Sequence, residues 1–223
     1  MQLGIGSAEF ENMLVQESFK SFDLFKELPI RAKLYTLPSC RVLLVVVHHI
    51  ATDGWSMNII QNELAALYRS GGNDLPHVEV PYSAYARWQR EQSTSETYQM
   101  QLEYWKQQLA GIEPLLLQPD RQRPVVQKYD GALHTFRISA DILAGLKMFS
   151  QAHGATLFMT TLAAFQIHMY KLTGMERFAV GSPAAGRRHR SLEGTVGYFV
   201  NPLPLVADLS GNPSVSELLE RYV

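Results

Sequence analysis

Hydrophobic and polar residues change their spacing several times along the chain, and each spacing predicts a different element. Residues 9–22 predict a short helix. Ile30–Leu37 alternates between apolar and polar residues, as a half-buried strand does. Arg41–His49 is a nearly continuous apolar run, typical of a strand buried on both faces. The short turn between these two strands predicts a hairpin.

Helical spacing follows the second strand. We predict one helix after Gly54 that ends at Ser70–Gly72, and another that ends near Gly111. Their apolar stripes are Ile60, Leu64 and Leu67 in the first helix, and Tyr98, Leu102, Trp105 and Leu109 in the second. Three aromatic residues between these helices also recur at helical spacing, and we expect them to fill a core: Tyr82, Tyr85 and Trp88.

The second half of the chain follows a polar, extended connection at residues 119–131, which we interpret as a linker between two lobes. Residues 132–138 predict a strand, and Ser139 and Thr156 are predicted N-caps of two helices. The second of these helices is expected to carry Phe158, Leu162, Phe165 and Met169 on one face. Two further strands, at residues 177–183 and 198–209, and a short helix complete a mixed α/β pattern.

Composition excludes several classes of protein. With 46% hydrophobic and 18% charged residues, the chain is globular, and a formal net charge of −1 gives no footprint for nucleic acid. The one basic cluster, Arg187, Arg188 and Arg190, is interpreted as a solvated loop. A single cysteine excludes an internal disulfide, and the apolar stretches are far shorter than the ~20 residues that span a bilayer. We therefore predict a cytoplasmic protein without nucleic-acid or membrane partners.

Titratable side chains follow the apolar strand directly, in the stretch VVVHHIATDGWSMN. Successive strand residues point to opposite faces, so His48 and His49 are expected to face different surroundings. A histidine exchanges protons near neutral pH and can accept a proton from an amine, thiol or hydroxyl group. Asp53 can fold back to orient a ring or to pair with an arginine. Gly54 allows a sharp turn and a close approach of a ligand.

Each member of this stretch also has an ordinary structural explanation. A lone buried histidine is more often structural than catalytic, and Asp53-Gly54 alone is most often a turn. Metal binding is disfavoured, because consecutive histidines rarely share one ion and no HxxxH or CxxC companion is present. The combination HHxxxDG, placed between an apolar strand and an amphipathic helix, is far more specific than any single residue in it.

This combination resembles the HHxxxDG motif of condensation domains of nonribosomal peptide synthetases. Three other stretches are similar to segments of that family: YSAYARWQRE, then YWKQQLAGIEPLLLQPDRQRP, and finally VGSPAAGRRHRSLEGTVGYFVNPLPL. Chloramphenicol acetyltransferase and other CoA-dependent acyltransferases share only the histidine and the Asp-Gly, so the VGYFVN stretch favours condensation domains over them. Heterocyclization domains carry Asp in place of the histidine pair, and DGWS favours condensation over epimerization.

The resemblance implies amide bond formation between a donor acyl or peptidyl thioester and an acceptor amine. Each substrate would arrive on the 4′-phosphopantetheine arm of a carrier protein, beside an adenylation domain, with no cofactor or metal bound directly. The implied catalytic residues are His48, His49, Asp53 and Gly54, and the implied substrate-binding residues are Trp55, Ser56 and Asn201. His49 is the key residue, either as a base or as a group that positions the amine. His48 and Asp53 match structural positions of the motif.

The resemblance also implies a two-lobe fold like that of chloramphenicol acetyltransferase, present here only in part. Residues 1–120 would be the C-terminal part of the first lobe, and residues 121–223 the N-terminal part of the second. The opening motifs of the family are missing, and with them the arginine expected to pair with Asp53. The chain also stops in a predicted helix at ELLERYV. An alternative is therefore a catalytically silent fragment or a docking module for carrier proteins.

Overall fold

Seven α-helices and four strands make up the regular structure of the residues that the computed structural model describes, which are 6–71, 75–127 and 131–222. The mixed α/β prediction is therefore confirmed. Gly72 of the predicted helix stop and residues 128–130 of the predicted connection lie outside the described residues. The elements are α1 (Ala8–Phe19), β1 (Ile30–Thr36), β2 (Arg41–Val47), α2 (Gly54–Ser70), α3 (Tyr82–Gln92), α4 (Glu96–Gln108), α5 (Ala140–Ala152), α6 (Leu157–Thr173), β3 (Arg177–Ala184), β4 (Asn201–Asp208) and α7 (Val215–Glu220).

The chain divides into two compact units, and neither is continuous in sequence. The first unit combines Met1–Ser95 with Pro183–Asn201, and the second combines Glu96–Ser182 with Pro202–Val223. The VGYFVN stretch therefore belongs to the same unit as HHxxxDG, although the two motifs lie far apart along the chain. Because the first unit includes residues 183–201, side chains from that later segment can contact the HHxxxDG stretch.

The first unit contains the predicted hairpin, with β1 antiparallel to β2 and Ile30 paired with Val47. The Leu37 N–H donates to the Cys40 carbonyl at 2.8 Å and closes the turn. The helix α2 that follows begins at Gly54, and Asp53 is its N-cap. It ends at Gly71, which adopts the left-handed conformation (φ 68°) that glycine tolerates at a helix end.

The second unit has an apolar core where α6, α7, β3 and β4 meet. Its buried members are Ala163, Met169, Phe178, Ala207, Leu209, Leu218 and Leu219. Ser139 and Thr156 precede α5 and α6 as predicted, and the Thr156 hydroxyl accepts a hydrogen bond from the Met159 N–H at 3.2 Å. This cap fixes the start of α6 because it satisfies one of the N–H groups that a first helical turn leaves without a partner.

The structure differs from the sequence prediction in several details. Residues 132–138 form no strand: their apolar side chains are largely exposed, and no described strand pairs with them. The buried face of α6 consists of Thr160, Ala163, Gln166 and Met169, whereas Phe158 and Phe165 are about half exposed. The last strand begins at Asn201 rather than at residue 198. The last helix ends at Glu220, before the end of the chain.

Helix lengths bear on the question of a membrane span. The longest described helices, α2 and α6, have 17 residues each. Within the described ranges, no helix is both long enough and apolar enough to cross a membrane.

Candidate functional site

The histidine pair lies just past the end of β2, because that strand stops at Val47 rather than running on to His49 as predicted. His48 is extended and caps a short 3-10 helix, His49–Ala51. Its Nδ1 accepts a hydrogen bond from the Ile50 N–H at 3.0 Å. Its ring also meets the Phe22 ring edge to face, with centroids 5.7 Å apart. His48 therefore caps the short 3-10 helix.

His49 also forms a hydrogen bond through its Nδ1, but there the nitrogen is the donor rather than the acceptor. Its Nδ1 lies 2.7 Å from the carbonyl oxygen of Thr52. A carbonyl oxygen only accepts hydrogen bonds, so Nδ1 carries the proton in the neutral ring. The lone pair then resides on Nε2, which can accept a proton or a hydrogen bond from a ligand. His49 is exposed, and among the described residues no hydrogen bond to its Nε2 is found.

The Asp53 carboxylate is bonded to neither histidine ring, and it instead holds three segments of the first unit together. It is 2% exposed and accepts the Ser56 N–H at 2.8 Å, which makes it the N-cap of α2. It also accepts the Phe199 N–H at 3.1 Å. The third partner is Arg187, whose Nη2 lies 3.2 Å and 3.5 Å from the two carboxylate oxygens. Each oxygen therefore has at least one donor, as a buried carboxylate requires.

Arg187 corrects two expectations drawn from the sequence. Its side chain is 2% exposed, so it is not part of a solvated basic loop. It is also the arginine that pairs with Asp53, which the resemblance placed in a missing segment before residue 1. Its Nη1 donates to the carbonyls of Leu192 and Thr195 at 2.6 Å and 2.7 Å, and the guanidinium lies 3.9 Å from the centroid of the Phe199 ring.

The ionised form of Asp53 is favoured in this setting. Burial of the carboxylate by itself raises the pKa. Hydrogen bonds from Ser56 and from the Phe199 N–H, together with the positive charge of Arg187, outweigh burial and hold the pKa of Asp53 below its ordinary value. The carboxylate is therefore a fixed negative group at neutral pH and does not serve as a proton donor.

The predicted substrate-binding residues fall into two kinds of surroundings. Ser56 is fully buried, and its hydroxyl bonds Arg187 at 2.8 Å, the Gly197 carbonyl at 2.8 Å and the Gly197 N–H at 3.0 Å. A hydroxyl with these three partners supports the local structure, and the substrate-binding role of Ser56 stays a prediction. Trp55 and Asn201, by contrast, are exposed. The Trp55 side chain is 46% exposed, and its indole N–H donates to the Glu193 carbonyl at 2.9 Å. Asn201 lies at the start of β4.

Gly54 begins α2 and is exposed. Its backbone does not adopt a positive φ, so the sharp turn predicted for it is not required. A methyl group added at its Cα would meet no described atom within 4 Å. The space beside this residue is therefore open, which leaves the predicted approach of a ligand physically possible.

Two of the three aromatic residues predicted to fill a core, Tyr82 and Tyr85, pack against the VGYFVN stretch. The third, Trp88, is 51% exposed, and α3 has no fully buried residue, so the packing prediction is wrong for Trp88. The Tyr82 and Tyr85 rings lie 5.2 Å and 4.6 Å from the Phe199 ring, and the Tyr82 hydroxyl donates to the Tyr198 carbonyl at 2.8 Å. A Cβ on Gly197 would come within 2.1 Å of the Tyr82 ring. Glycine at this position therefore allows the helix and the loop to come together.

Sequence reasoning missed two residues of this site, Arg187 and Tyr198. Arg187 stands in the basic run GRRHR, whose composition favours a solvated loop. The Tyr198 ring lies edge to face with the His49 ring, with centroids 5.3 Å apart. Both residues stand in the quoted stretch between residues 180 and 205, so the resemblance marked the segment but not these side chains.

Comparison with known proteins agrees with this geometry. The sequence model of the condensation domain matches residues 6–222. A linear gramicidin synthase of Brevibacillus parabrevis is 44% identical over 220 residues, which cover 96% of this chain and 4% of that protein. Malpinin synthetase of Mortierella alpina is 41% identical over 226 residues, covering 97% of this chain and 3% of the synthetase. The chain thus spans a small fraction of these curated relatives.

Solved structures show the same fold. The X-domain in its complex with OxyB from teicoplanin biosynthesis has a TM-score of 0.87 at 27% identity, covering 96% of this chain and 49% of that one. A four-domain nonribosomal peptide synthetase, holo-AB3403 bound to AMP and glycine, has a TM-score of 0.80 at 25% identity, covering 97% of this chain and 17% of that one. With the match over residues 6–222 and the motif geometry, these likenesses show that the chain belongs to the condensation domain family of nonribosomal peptide synthetases.

Proposed function

We propose that this chain carries the catalytic motif of a working condensation domain, which forms an amide bond between two substrates held on carrier proteins. One observation carries the proposal: His49 is exposed, and its Nδ1–H is bound to the Thr52 carbonyl at 2.7 Å, which leaves a lone pair on Nε2. This histidine is the second of the HHxxxDG motif in a chain matched by the condensation family over residues 6–222.

The proposed reaction uses one protein atom directly, the Nε2 atom of His49. The acceptor amine attacks the carbonyl carbon of the donor thioester, a C–N bond forms, and the C–S bond breaks. The attacking nitrogen loses a proton, and the departing sulfur takes one up to become a thiol. The Nε2 atom of His49 can accept the N–H of the amine, which either orients the amine or removes its proton. Both roles need an unprotonated Nε2, and the Thr52 carbonyl favours that tautomer.

The other motif residues act through structure in this proposal. Asp53, Ser56 and Arg187 fix the start of α2 and the loop that follows Gly194. The space beside Gly54 is open, and Trp55 and Asn201 are exposed side chains that could contact substrate arms. The substrates would be carried on 4′-phosphopantetheine by donor and acceptor carrier proteins, beside an adenylation domain, in the cytoplasm. Residues 1–120 and 121–223 would belong to the first and second lobes of the parent domain.

The test is His49→Ala in the complete parent protein, with loaded donor and acceptor carrier proteins and detection of the amide product by mass spectrometry. Loss of a general base or a positioning group should reduce the rate by about 100-fold or more. His77→Ala is the matched control, because His77 is an exposed histidine of the same unit outside the motif. A normal rate for His49→Ala would show that the catalytic assignment is incorrect.

A docking module is the second candidate, and one finding favours it. The X-domain that this chain resembles at a TM-score of 0.87 was solved in a complex with OxyB. A condensation fold can therefore serve as a binding partner. If the unaltered parent protein forms no amide from loaded carrier proteins but still binds them, the docking function replaces the catalytic one.

A further inference from the structure

We propose that Tyr198 is a positioning residue for His49, and that Asp53 acts on the histidine through it. Tyr198 makes the ring contact described above, with an interplanar angle of 79°, and it is 39% exposed. Its ring therefore faces both the imidazole and the surroundings of the chain. This inference rests on the proposed function, since it assigns Tyr198 a part in the same reaction.

The backbone of Tyr198 is held on both sides by the residues that start α2. The preceding residue, Gly197, exchanges two hydrogen bonds with the Ser56 hydroxyl, at 2.8 Å and 3.0 Å. The following residue, Phe199, donates its N–H to Asp53 at 3.1 Å. The carbonyl of Tyr198 itself accepts the Tyr82 hydroxyl at 2.8 Å. Three consecutive residues are thus tied by hydrogen bonds to the start of α2 and to α3.

Close packing leaves this segment little freedom to shift. The Phe199 ring is 3% exposed and lies under the Arg187 guanidinium at 3.9 Å. A Cβ on Gly197 would collide with the Tyr82 ring, and a Cβ on Gly186 would come within 1.9 Å of the Phe199 carbonyl oxygen. Gly186 also has a φ of 68°, a conformation that other residues rarely adopt. The backbone that carries the Tyr198 ring is consequently restrained, and the ring lies beside His49.

The imidazole of His49 then has two constraints of different kinds. The Thr52 carbonyl binds Nδ1 and selects the tautomer, and the Tyr198 ring limits rotation of the imidazole about its bond to Cβ. Neither constraint involves Nε2, which stays available to the acceptor amine. Asp53 contributes to both constraints on the imidazole. It caps α2, the helix that follows the 3-10 turn with Thr52, and it accepts the N–H of Phe199, the residue next to Tyr198. This explains how a carboxylate bonded to neither ring can matter to the histidine.

The activity test uses the complete parent protein with loaded carrier proteins. Tyr198→Met removes the aromatic ring at similar bulk and should lower kcat about 10-fold with little change in the KM for the acceptor, because positioning affects the chemical step. Tyr198→Phe keeps the ring and should recover most of the lost rate. Circular dichroism and thermal unfolding of each variant identify a folding defect.

A second readout does not depend on amide formation. Diethylpyrocarbonate acylates accessible imidazole nitrogens, and peptide mass spectrometry measures the rate at each histidine. Removing the ring should make His49 more accessible and speed its acylation about threefold in Tyr198→Met, whereas Tyr198→Phe should match the unaltered protein. His48 is the internal control, because its aromatic neighbour is Phe22 and not Tyr198.

The two readouts separate the inference from the proposed function. Faster acylation of His49 in Tyr198→Met, with recovery in Tyr198→Phe, supports the positioning role even if the parent protein forms no amide. Equal acylation of His49 in all three proteins overturns it, whatever the rate of amide formation. Should Tyr198→Met fail to fold, Tyr82→Phe tests the same point, since it removes only the hydroxyl bond to the Tyr198 carbonyl.

Discussion

The buried network beside the histidines in the first unit is mainly polar, whereas the main buried cluster of the second unit is apolar, with Thr160 and Gln166 buried next to it on α6. The first buries a charged and polar group around Asp53 and Ser56, which are 2% and 0% exposed. The second buries an apolar cluster around Phe178 and Leu219, which are both 0% exposed. Hydrogen bonds have direction, whereas apolar contacts depend mainly on the area removed from water. The polar centre therefore fixes the orientation of the chain around it, and the apolar centre mainly supplies stability.

Stability alone does not explain a buried ion pair. Desolvation of both charges offsets most of the attraction between Asp53 and Arg187, so the pair adds little relative to apolar residues of the same volume. Its effect is to make alternative arrangements costly, because displacing either partner leaves a buried charge without compensation. In the first unit this selects one placement for the turn after β2 and for the segment Gly197–Phe199.

The largest expected effect comes from removing one partner of the pair. Arg187→Met leaves the Asp53 carboxylate buried without its positive charge and should lower the free energy of unfolding by about 3–5 kcal/mol. Chemical denaturation of the complete domain measures this difference. Arg188→Met is the matched control, because Arg188 is the adjacent arginine and is exposed, and it should change stability by less than about 0.5 kcal/mol. Equal effects of both variants would remove the distinction between the two centres.

A smaller effect should follow from crowding the contact between α3 and the loop. Gly197→Ala places a methyl group within 2.1 Å of the Tyr82 ring and should cost about 1–3 kcal/mol, because the ring and the loop must move apart. Gly194→Ala is the control, since a methyl group there meets no described atom within 4 Å. Thermal unfolding of the two variants gives the comparison, and a Gly197→Ala protein as stable as the control would contradict the tight packing.

The smallest effect concerns pH. The folded-state pKa of Asp53 is lowered, so its ionised form contributes stability that is present above the ordinary carboxylate pKa of about 4 and is lost as the pH falls through the folded-state value. We expect the stability difference between the unaltered protein and Asp53→Asn to shrink as the pH falls below about 4. Phe178→Leu, in the apolar core, should lower stability by the same amount at every pH. Denaturant titrations at several pH values from neutrality down to about 3 provide the measurement.

Much of the fold followed from local patterns. The hairpin, the two N-caps Ser139 and Thr156, and the helix after Gly54 were all predictable, because each depends on residues adjacent in the sequence. The strand predicted at residues 132–138 is wrong because a local run of residues does not supply the partner strand that it needs, and no described strand pairs with it. The spacing of apolar residues in α6 did not show which residues are buried, since Gln166 is buried there and Phe165 is about half exposed.

The motif of the candidate site could be predicted from the sequence, but the distant residues that contact the motif could not. HHxxxDG identified the turn, but β2 ends at Val47 instead of His49, and that change makes His48 a cap. The partner of Asp53 lies 134 residues away in the sequence, and no local pattern distinguishes a buried arginine from its solvated neighbours. Tyr198 is similarly remote from the histidines along the chain. Long-range partners of this kind follow from the tertiary fold alone.

The interleaving of the first unit has a consequence for recombination between related synthetases. A crossover between residues 60 and 180 would take Asp53 and Ser56 from one parent, and Arg187 and Gly197–Phe199 from the other. The polar centre would then combine side chains that were never selected together. Exchange boundaries placed outside residues 48–201 inherit the whole network from one parent. The natural unit of exchange around the histidines is therefore set by hydrogen bonds rather than by the boundary between lobes.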